Sequence, residues 1–193
     1  MSTSLSLLER LRQTPSGADW QQLHDVYRPL IRGWLIRVPG LHDEADDLTQ
    51  DVLVVVFREV AHFERQREGS FRTWLRRVTV NRVRGYWRQR AKQPRAGLDG
   101  SATEDFLSRL EDPASDLATQ WDREHDRYVF NRLLEIVRPD FQPNTWEAFR
   151  LFAQEGQPAA QVATGLGISE AAVILAKSRV LKRLREEAGA LID

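Results

Sequence analysis

Between residues 19 and 38 the apolar side chains Leu23, Val26, Tyr27, Leu30, Ile31 and Trp34 fall at intervals of three and four. That is the spacing of one face of an α-helix, and Pro39-Gly40 stops it. The pattern returns over 44–60 with Leu48, Val52, Val55 and Val56. After a polar stretch at 63–69, Ser70 stands as N-cap of a third helix bearing Phe71, Trp74, Leu75, Val78 and Val83. Further helical stretches are predicted at 128–137, 144–153, 158–165 and 169–187. No convincing alternation of apolar and polar residues marks a half-buried strand. The expected fold is all-α: two small helical domains, 1–93 and 122–193, joined by an acidic linker over 94–121. Pro94, Gly97, Gly100 and Pro113 punctuate that linker, leaving room for one helical turn near 106–110.

Composition narrows the function. The 193 residues include no cysteine, which excludes a disulfide scaffold, a thiolate zinc site and a cysteine nucleophile. Hydrophobic residues make up 41% and charged residues 29%, with a mean hydropathy of −0.49; a disordered chain would be less apolar. No apolar run approaches the roughly 18–20 residues that span a bilayer. The opening MSTSLSLLERLRQ mixes acid and base with leucine, unlike a signal peptide. A cytoplasmic protein without membrane insertion is expected. His24-Asp25, His42-Asp43 and His125-Asp126 are His-Asp pairs of the kind metal-dependent phosphohydrolases use. Those enzymes need a further His and a distant Asp converging on one metal, and here the pairs are scattered over both expected domains. Neither an enzyme nor a metal or cofactor is expected.

A formal net charge of zero conceals strong segregation. Residues 41–68 hold eight acids and three bases, a net −5. Residues 72–95 hold nine bases and no acid, a net +9. Residues 99–127 turn acidic again, nine acids against three bases, a net −6. Lys177, Arg179, Lys182, Arg183 and Arg185 form a second basic cluster. Two basic elements separated by acidic ones suit two contacts with a polyanion and other contacts with a basic partner; solvated helix faces are the plainer explanation.

The segment from Pro158 to Glu187 carries the most specific local pattern. Pro158 suits a first helical turn, and Val162 and Ala163 give that helix an apolar side. Gly165-Leu166-Gly167-Ile168 makes a short turn with Leu166 and Ile168 filling the corner. Ser169 caps the next helix, Glu170 favours its positive end, and Val173, Ala176, Val180 and Leu184 line one face. Such a helix-turn-helix presents its second helix to the DNA major groove; an ordinary helical hairpin is the alternative. The outward residues Ala171, Ile174 and Leu175 stand where hydrogen-bonding side chains would read base edges, while Lys177, Ser178, Arg179 and Lys182 are placed for the phosphate backbone.

Glu44-Ala45-Asp46-Asp47-Leu48-Thr49-Gln50-Asp51-Val52-Leu53, then Phe63, then Ser70-Phe71-Arg72-Thr73-Trp74-Leu75-Arg76-Arg77-Val78-Thr79-Val80-Asn81, resembles bacterial RNA polymerase sigma factors. The match is with the short, two-domain extracytoplasmic-function (ECF) group, whose first domain reads D-A-E-D-L-x-Q-[ED]-x-F, then F-R-x-W-L and N-x-x-x-D-x-x-R. Their second domain ends in I-S-x-x-T-V and a basic helix. The resemblance covers about 23–90 and 122–187 in the same order.

It implies a DNA-binding transcription factor that docks on core RNA polymerase and directs initiation at promoter DNA. Docking falls to Asp47, Gln50 and Asp51, which share a helix face at i, i+3 and i+4. Contact with the promoter −10 element falls to Phe63, Ser70, Arg77, Asn81, Arg84 and Arg88. Contact with the −35 element falls to Ser169, Ala171, Leu175, Lys177, Ser178, Arg179 and Lys182. For Asn81, a capping or buried-amide role is an equal alternative to a base-edge contact. The acidic linker is expected either to mimic a polyanion in a polymerase channel or simply to solubilise. An anti-sigma factor or a regulatory kinase is a further partner, with Thr49 and Ser70 the nearest hydroxyls. Gly85 stands where the family has Asp, Leu53 replaces an aromatic, and Ile174 and Leu175 replace basic and small polar residues. That last change leaves two readings of the patch, DNA or protein. An autonomous helix-turn-helix regulator without polymerase docking, and an adapter that no longer reads promoters, are the competing functions.

Overall fold

The computed structural model describes residues 6–63, 70–90 and 100–189; the side chains of Ala61 and Ser70 also lie outside the described set. All regular structure among these residues is helical, with no strand. The elements are α1 (Leu7–Gln13), α2 (Gly17–Leu35), α3 (Ala45–Glu59), α4 (Ser70–Arg90), α5 (Ser101–Glu111), α6 (Asp116–Val137), α7 (Pro143–Phe149), α8 (Ala159–Leu166) and α9 (Glu170–Ala188). The described chain divides within α6. Leu7–Val129 form one compact unit, and Phe130–Gly189 with Ser6 form the other.

In the first unit, α2 begins at a capping box. The Ser16 hydroxyl accepts from the Asp19 N–H at 3.2 Å, and the Asp19 carboxylate accepts from the Ser16 N–H at 3.0 Å. This Ser-x-x-acid signature starts the helix two residues before the apolar periodicity shows it. Asp19 also receives Arg10 at 2.7 Å, tying α1 to α2. Burial pushes the Asp19 carboxyl up, but the Arg10 and Ser16 bonds together hold it below the ordinary value.

The inward faces of α2, α3 and α4 make the core: Leu23, Tyr27, Ile31, Leu35, Val52, Val56, Phe71, Leu75 and Val83 are all buried. Gly40 adopts a left-handed φ of 76°, and its open side faces the Trp87 ring, which a Cβ there would meet at 3.5 Å. The Pro39-Gly40 break is thereby packed under α4.

The stretch expected as a linker contains structure of its own. Residues 101–111 form α5, with Thr103, Leu107 and Leu110 buried, and 116–121 already belong to α6. The cause is a four-residue apolar spacing, reinforced by charge. The Thr103 hydroxyl donates to the Pro39 carbonyl at 2.9 Å. Arg84 of α4 donates to Glu104 at 2.7 Å and to Glu111 at 2.5 Å. Glu104 and Glu111, with Asp122 and Asp126 of α6, pair with arginines of α4.

Arg76 shows the same logic more deeply. It is 4% exposed, and its guanidinium donates to Asp122 at 3.0 Å and to the Ala118 carbonyl at 3.2 Å. Arg72 pairs with Asp126 at 2.9 Å and Asp122 at 3.5 Å. His125 is fully buried beside Tyr27, ring centroids 5.9 Å apart. Burial, with Asp126 adding, drives the Tyr27 hydroxyl well above its usual pKa of 10.

The second unit is built on Ala148, Val162, Ala163, Val173 and Ala176, with Leu151, Phe152, Ala159, Leu166 and Ile168 packed around them. A π-helical turn at Arg150–Gln154 follows α7, and Arg150 pairs with both Glu147 and Glu155. Leu166 and Ile168 fill the corner between α8 and α9 as the spacing predicts.

Glu104 sits below the ordinary carboxyl range, chiefly through its bond from Arg84. Its folded pKa lies under the unfolded value of 4.5, so the stabilisation is complete above that pH and fades as the pH falls through the folded pKa. Glu104→Gln with Glu111→Gln is expected to lower stability at pH 7 by about 1 kcal/mol. It should also flatten the loss of melting temperature on acidification, measured by calorimetry from neutral to pH 3.

Candidate functional site

Three surfaces carry the residues singled out by the sequence. On α3, Ala45, Leu48, Thr49, Val52, Leu53 and Val56 face the core. The opposite side presents Asp47, Gln50 and Asp51, all exposed. Val54, 42% exposed, extends this stripe by one turn; the sequence pattern did not single it out. The neighbouring acids are already used. Asp46 takes Arg32 at 2.8 Å and Arg28 at 3.4 Å, and the Arg32 bond lowers its pKa. Glu44 takes Arg90 at 2.8 Å. Asp47 and Asp51 have no ion pair among the described residues, so the outward charge of this face is theirs. Thr49 is 1% exposed, and its hydroxyl donates to the Ala45 carbonyl at 2.6 Å. It is no target for a kinase in this fold.

On α4, Arg77, Asn81, Arg84 and Arg88 succeed one another at four, three and four residues and share one stripe. Arg77, Asn81 and Arg88 are exposed. Asn81 lies in the middle of the helix, which excludes the capping and buried-amide roles. Arg84 is occupied by Glu104 and Glu111, and the Glu104 bond raises its pKa. Sequence reasoning missed this because its partners lie 20 and 27 residues away. Phe63 joins an aromatic cluster, 5.2 Å from Phe71 and 5.4 Å from Trp74 between centroids. Ser70 begins α4, but its side chain lies outside the described residues, as does most of the preceding loop. Tyr86 and Trp87 serve the fold: Arg90 lies over both rings, at 5.6 and 6.0 Å.

On α9, the two helices of the C-terminal motif meet at 102°, within the range of DNA-binding helix pairs. Gly167 closes α8 in the left-handed conformation at φ 65°, ψ 34°. The Ser169 hydroxyl then accepts from the Ala172 N–H at 3.1 Å and opens α9. Ser169 thus has a capping task of its own. Ala171, Leu175, Lys177, Ser178, Arg179 and Lys182 are all exposed. Lys177 leans on Phe152, 5.3 Å from the ring centroid, to one side of the stripe formed by Ala171, Leu175, Ser178 and Lys182.

The His-Asp pairs stay apart. His24-Asp25 and His42-Asp43 are solvent-exposed, at 3.1 and 3.3 Å. The buried His125 meets Asp126 at 3.0 Å. Among the described residues no three His, Cys, Asp or Glu side chains are grouped to hold a metal, and no single helix is long and apolar enough to cross a membrane.

An acidic helix face and an arginine-lined helix that follows an aromatic cluster stand together in an all-α frame. Residues 23–93 match the family sigma-70 region 2. The chain is 27% identical over 143 residues, 74% of its length, to a probable RNA polymerase sigma factor, RfaY, of Xanthomonas campestris pathovar campestris. It is 32% identical over 62 residues, 32% of its length, to the ECF RNA polymerase sigma factor SigE of Mycolicibacterium smegmatis. The matched parts span 34% and 23% of those relatives' lengths. The resemblance to ECF sigma factors seen in the motifs holds.

Gly167→Ala places a Cβ in open space but in a backbone conformation that costs a non-glycine residue about 1 kcal/mol. The expected outcome is a loss of that size in chemical denaturation, with helical content unchanged.

Proposed function

We propose that this chain is an RNA polymerase sigma factor of the ECF type, which binds core RNA polymerase and directs initiation at specific promoters. The observation that carries the reading is the region 2 match over 23–93, together with the acidic stripe of α3 inside it, whose Asp47 and Asp51 have no ion pair among the described residues. Asp47, Gln50 and Asp51 dock on a basic surface of the polymerase. Two carboxylates without an ion pair among the described residues, and an amide, complement such a surface, and Val54 adds an apolar contact at the end of the stripe.

Phe63, Ser70, Arg77, Asn81 and Arg88 meet the −10 element. Exposed guanidinium groups hold the displaced strand by its phosphates, and the Asn81 amide supplies both a donor and an acceptor to a base edge. Arg84 takes part only when α5 releases it. The α8–α9 pair is a helix-turn-helix that lays α9 in the major groove of the −35 element. Arg179 and Lys182 bind phosphates there, Lys177 flanks them, Ser169 fixes the helix start, and Ala171, Leu175 and Ser178 face the bases. Docking and melting fall to the first unit, the matched residues together with α5 and α6 up to Val129, and upstream binding falls to the unit from Phe130. The protein acts in the cytoplasm, as a regulator rather than an enzyme, under an anti-sigma factor or another switch.

The direct test is binding to core RNA polymerase followed by run-off transcription from a genomic fragment library. Transcripts sharing an upstream sequence support the proposal; no binding to core refutes it and leaves an autonomous DNA-binding regulator. Asp47→Lys with Asp51→Lys is expected to weaken core binding about tenfold or more while the circular dichroism spectrum stays helical. Arg77→Ala and Arg88→Ala should each weaken promoter binding across sequences. Each should also lower the slope of log affinity against log salt by about 1.

A further inference from the structure

The first two turns of α9 present a face without the usual means of reading bases. Ala171, Ile174, Leu175 and Ser178 stand at i, i+3, i+4 and i+7, on one stripe opposite the buried Val173, Ala176 and Val180. Ile174 is 53% exposed and Leu175 47% exposed. Only the Ser178 hydroxyl on this stripe can form a side-chain hydrogen bond. A side chain that reads guanine or adenine in the major groove is an Arg, Lys, Asn or Gln with donors aimed at the base, and the stripe has none before Lys182.

We infer that α9 reads its duplex through the 5-methyl groups of thymine, with Ile174 and Leu175 against the methyls and Ala171 leaving room for the groove wall. This rests on the reading of α9 as the major-groove helix and names what that helix selects. Thymine is the one standard base that offers an apolar group in the major groove, so an apolar stripe distinguishes it from cytosine without a hydrogen bond. The surrounding charge favours DNA as the occupant. Exposed Arg179 and Lys182 flank the patch on its C-terminal side, placed to hold phosphates. Glu170 lies about a quarter-turn off the stripe, at the helix start, where the positive helix end offsets its charge. A protein-binding patch of two side chains would be small, and these cations would surround it.

The test uses the full chain with core RNA polymerase and duplexes selected from a random library. In each selected duplex, single thymines are replaced by deoxyuridine, which keeps every hydrogen-bonding atom and removes only the methyl. The expected result is one or two upstream positions where the replacement weakens binding about fourfold, the value of one apolar carbon. At those positions 5-methylcytosine should bind better than cytosine. Ile174→Ser with Leu175→Ser should bind the thymine and deoxyuridine duplexes equally, with helical content unchanged. Selected duplexes that tolerate deoxyuridine everywhere overturn the methyl reading and leave DNA binding by α9 intact. Failure to select any upstream sequence removes the major-groove assignment and this inference with it. Self-association of the chain that the double variant abolishes, with DNA selectivity unchanged, assigns the patch to a protein contact and overturns the inference.

Discussion

Arg76 is nearly inaccessible to water and still charged, so it requires a partner, and Asp122 with the Ala118 carbonyl provides one. Removing one member of such a pair strands the other in a poorly solvated place, at a cost of roughly 3–5 kcal/mol. That contact fixes α6 onto α4 and makes the first unit larger than the matched domain at 23–93. The same demand recurs along α4, which has no acid of its own between residues 72 and 90. Glu44 of α3, Glu104 and Glu111 of α5, and Asp122 and Asp126 of α6 supply the missing charge. The zero net charge is in large part built into the fold as short-range pairs.

Helices α2, α3 and α4 were legible because their apolar residues keep three-to-four spacing and their ends carry strong signals, whereas the short α1 was not anticipated. Pro39-Gly40, Ser169 and Gly167 are local features whose physics needs no distant partner. The capping box at Ser16 and Asp19 was equally local and available from the pattern Ser-x-x-Asp, but it precedes the apolar repeat that marks α2. The helix α5 was hidden for a different reason. Its 11 residues lie between glycines and a proline, the composition of a linker, and what secures it is a set of contacts to Arg84 and Pro39 far off in sequence. The outward stripes of α3 and α9 could be placed by counting around a helix. Which acids and bases on those helices are spoken for by neighbours could not.

This distinction changes how the basic stretch is understood. Read as a string, residues 72–95 offer a polyanion nine positive charges. In the fold, Arg72, Arg76, Arg84 and Arg90 face carboxylates, and Arg82 is half-buried. The outward charge of described α4 comes from Arg77 and Arg88. Counterion release follows the number of phosphates neutralised by available cations, so α4 contributes a modest salt dependence for so basic a helix. Arg84 is intermediate: bound by α5 through carboxylates open enough to solvent for salt to screen them, and set on the same stripe as Arg77 and Arg88, which have no ion pair among the described residues.

Charge is therefore distributed unequally between α4 and α9. Along α4 it mainly holds the protein together, and the few outward groups sit beside an exposed amide suited to a base that has left the stack. Along α9 the cations on the outer side are exposed beside an apolar stripe. A helix of the first kind gains from an opened strand, whose base edges are accessible. A helix of the second kind gains from an intact duplex, because methyl groups line up in the major groove only while the bases remain paired. Under the proposed function, a division of labour between a melted and an unmelted element would follow from what each helix leaves exposed.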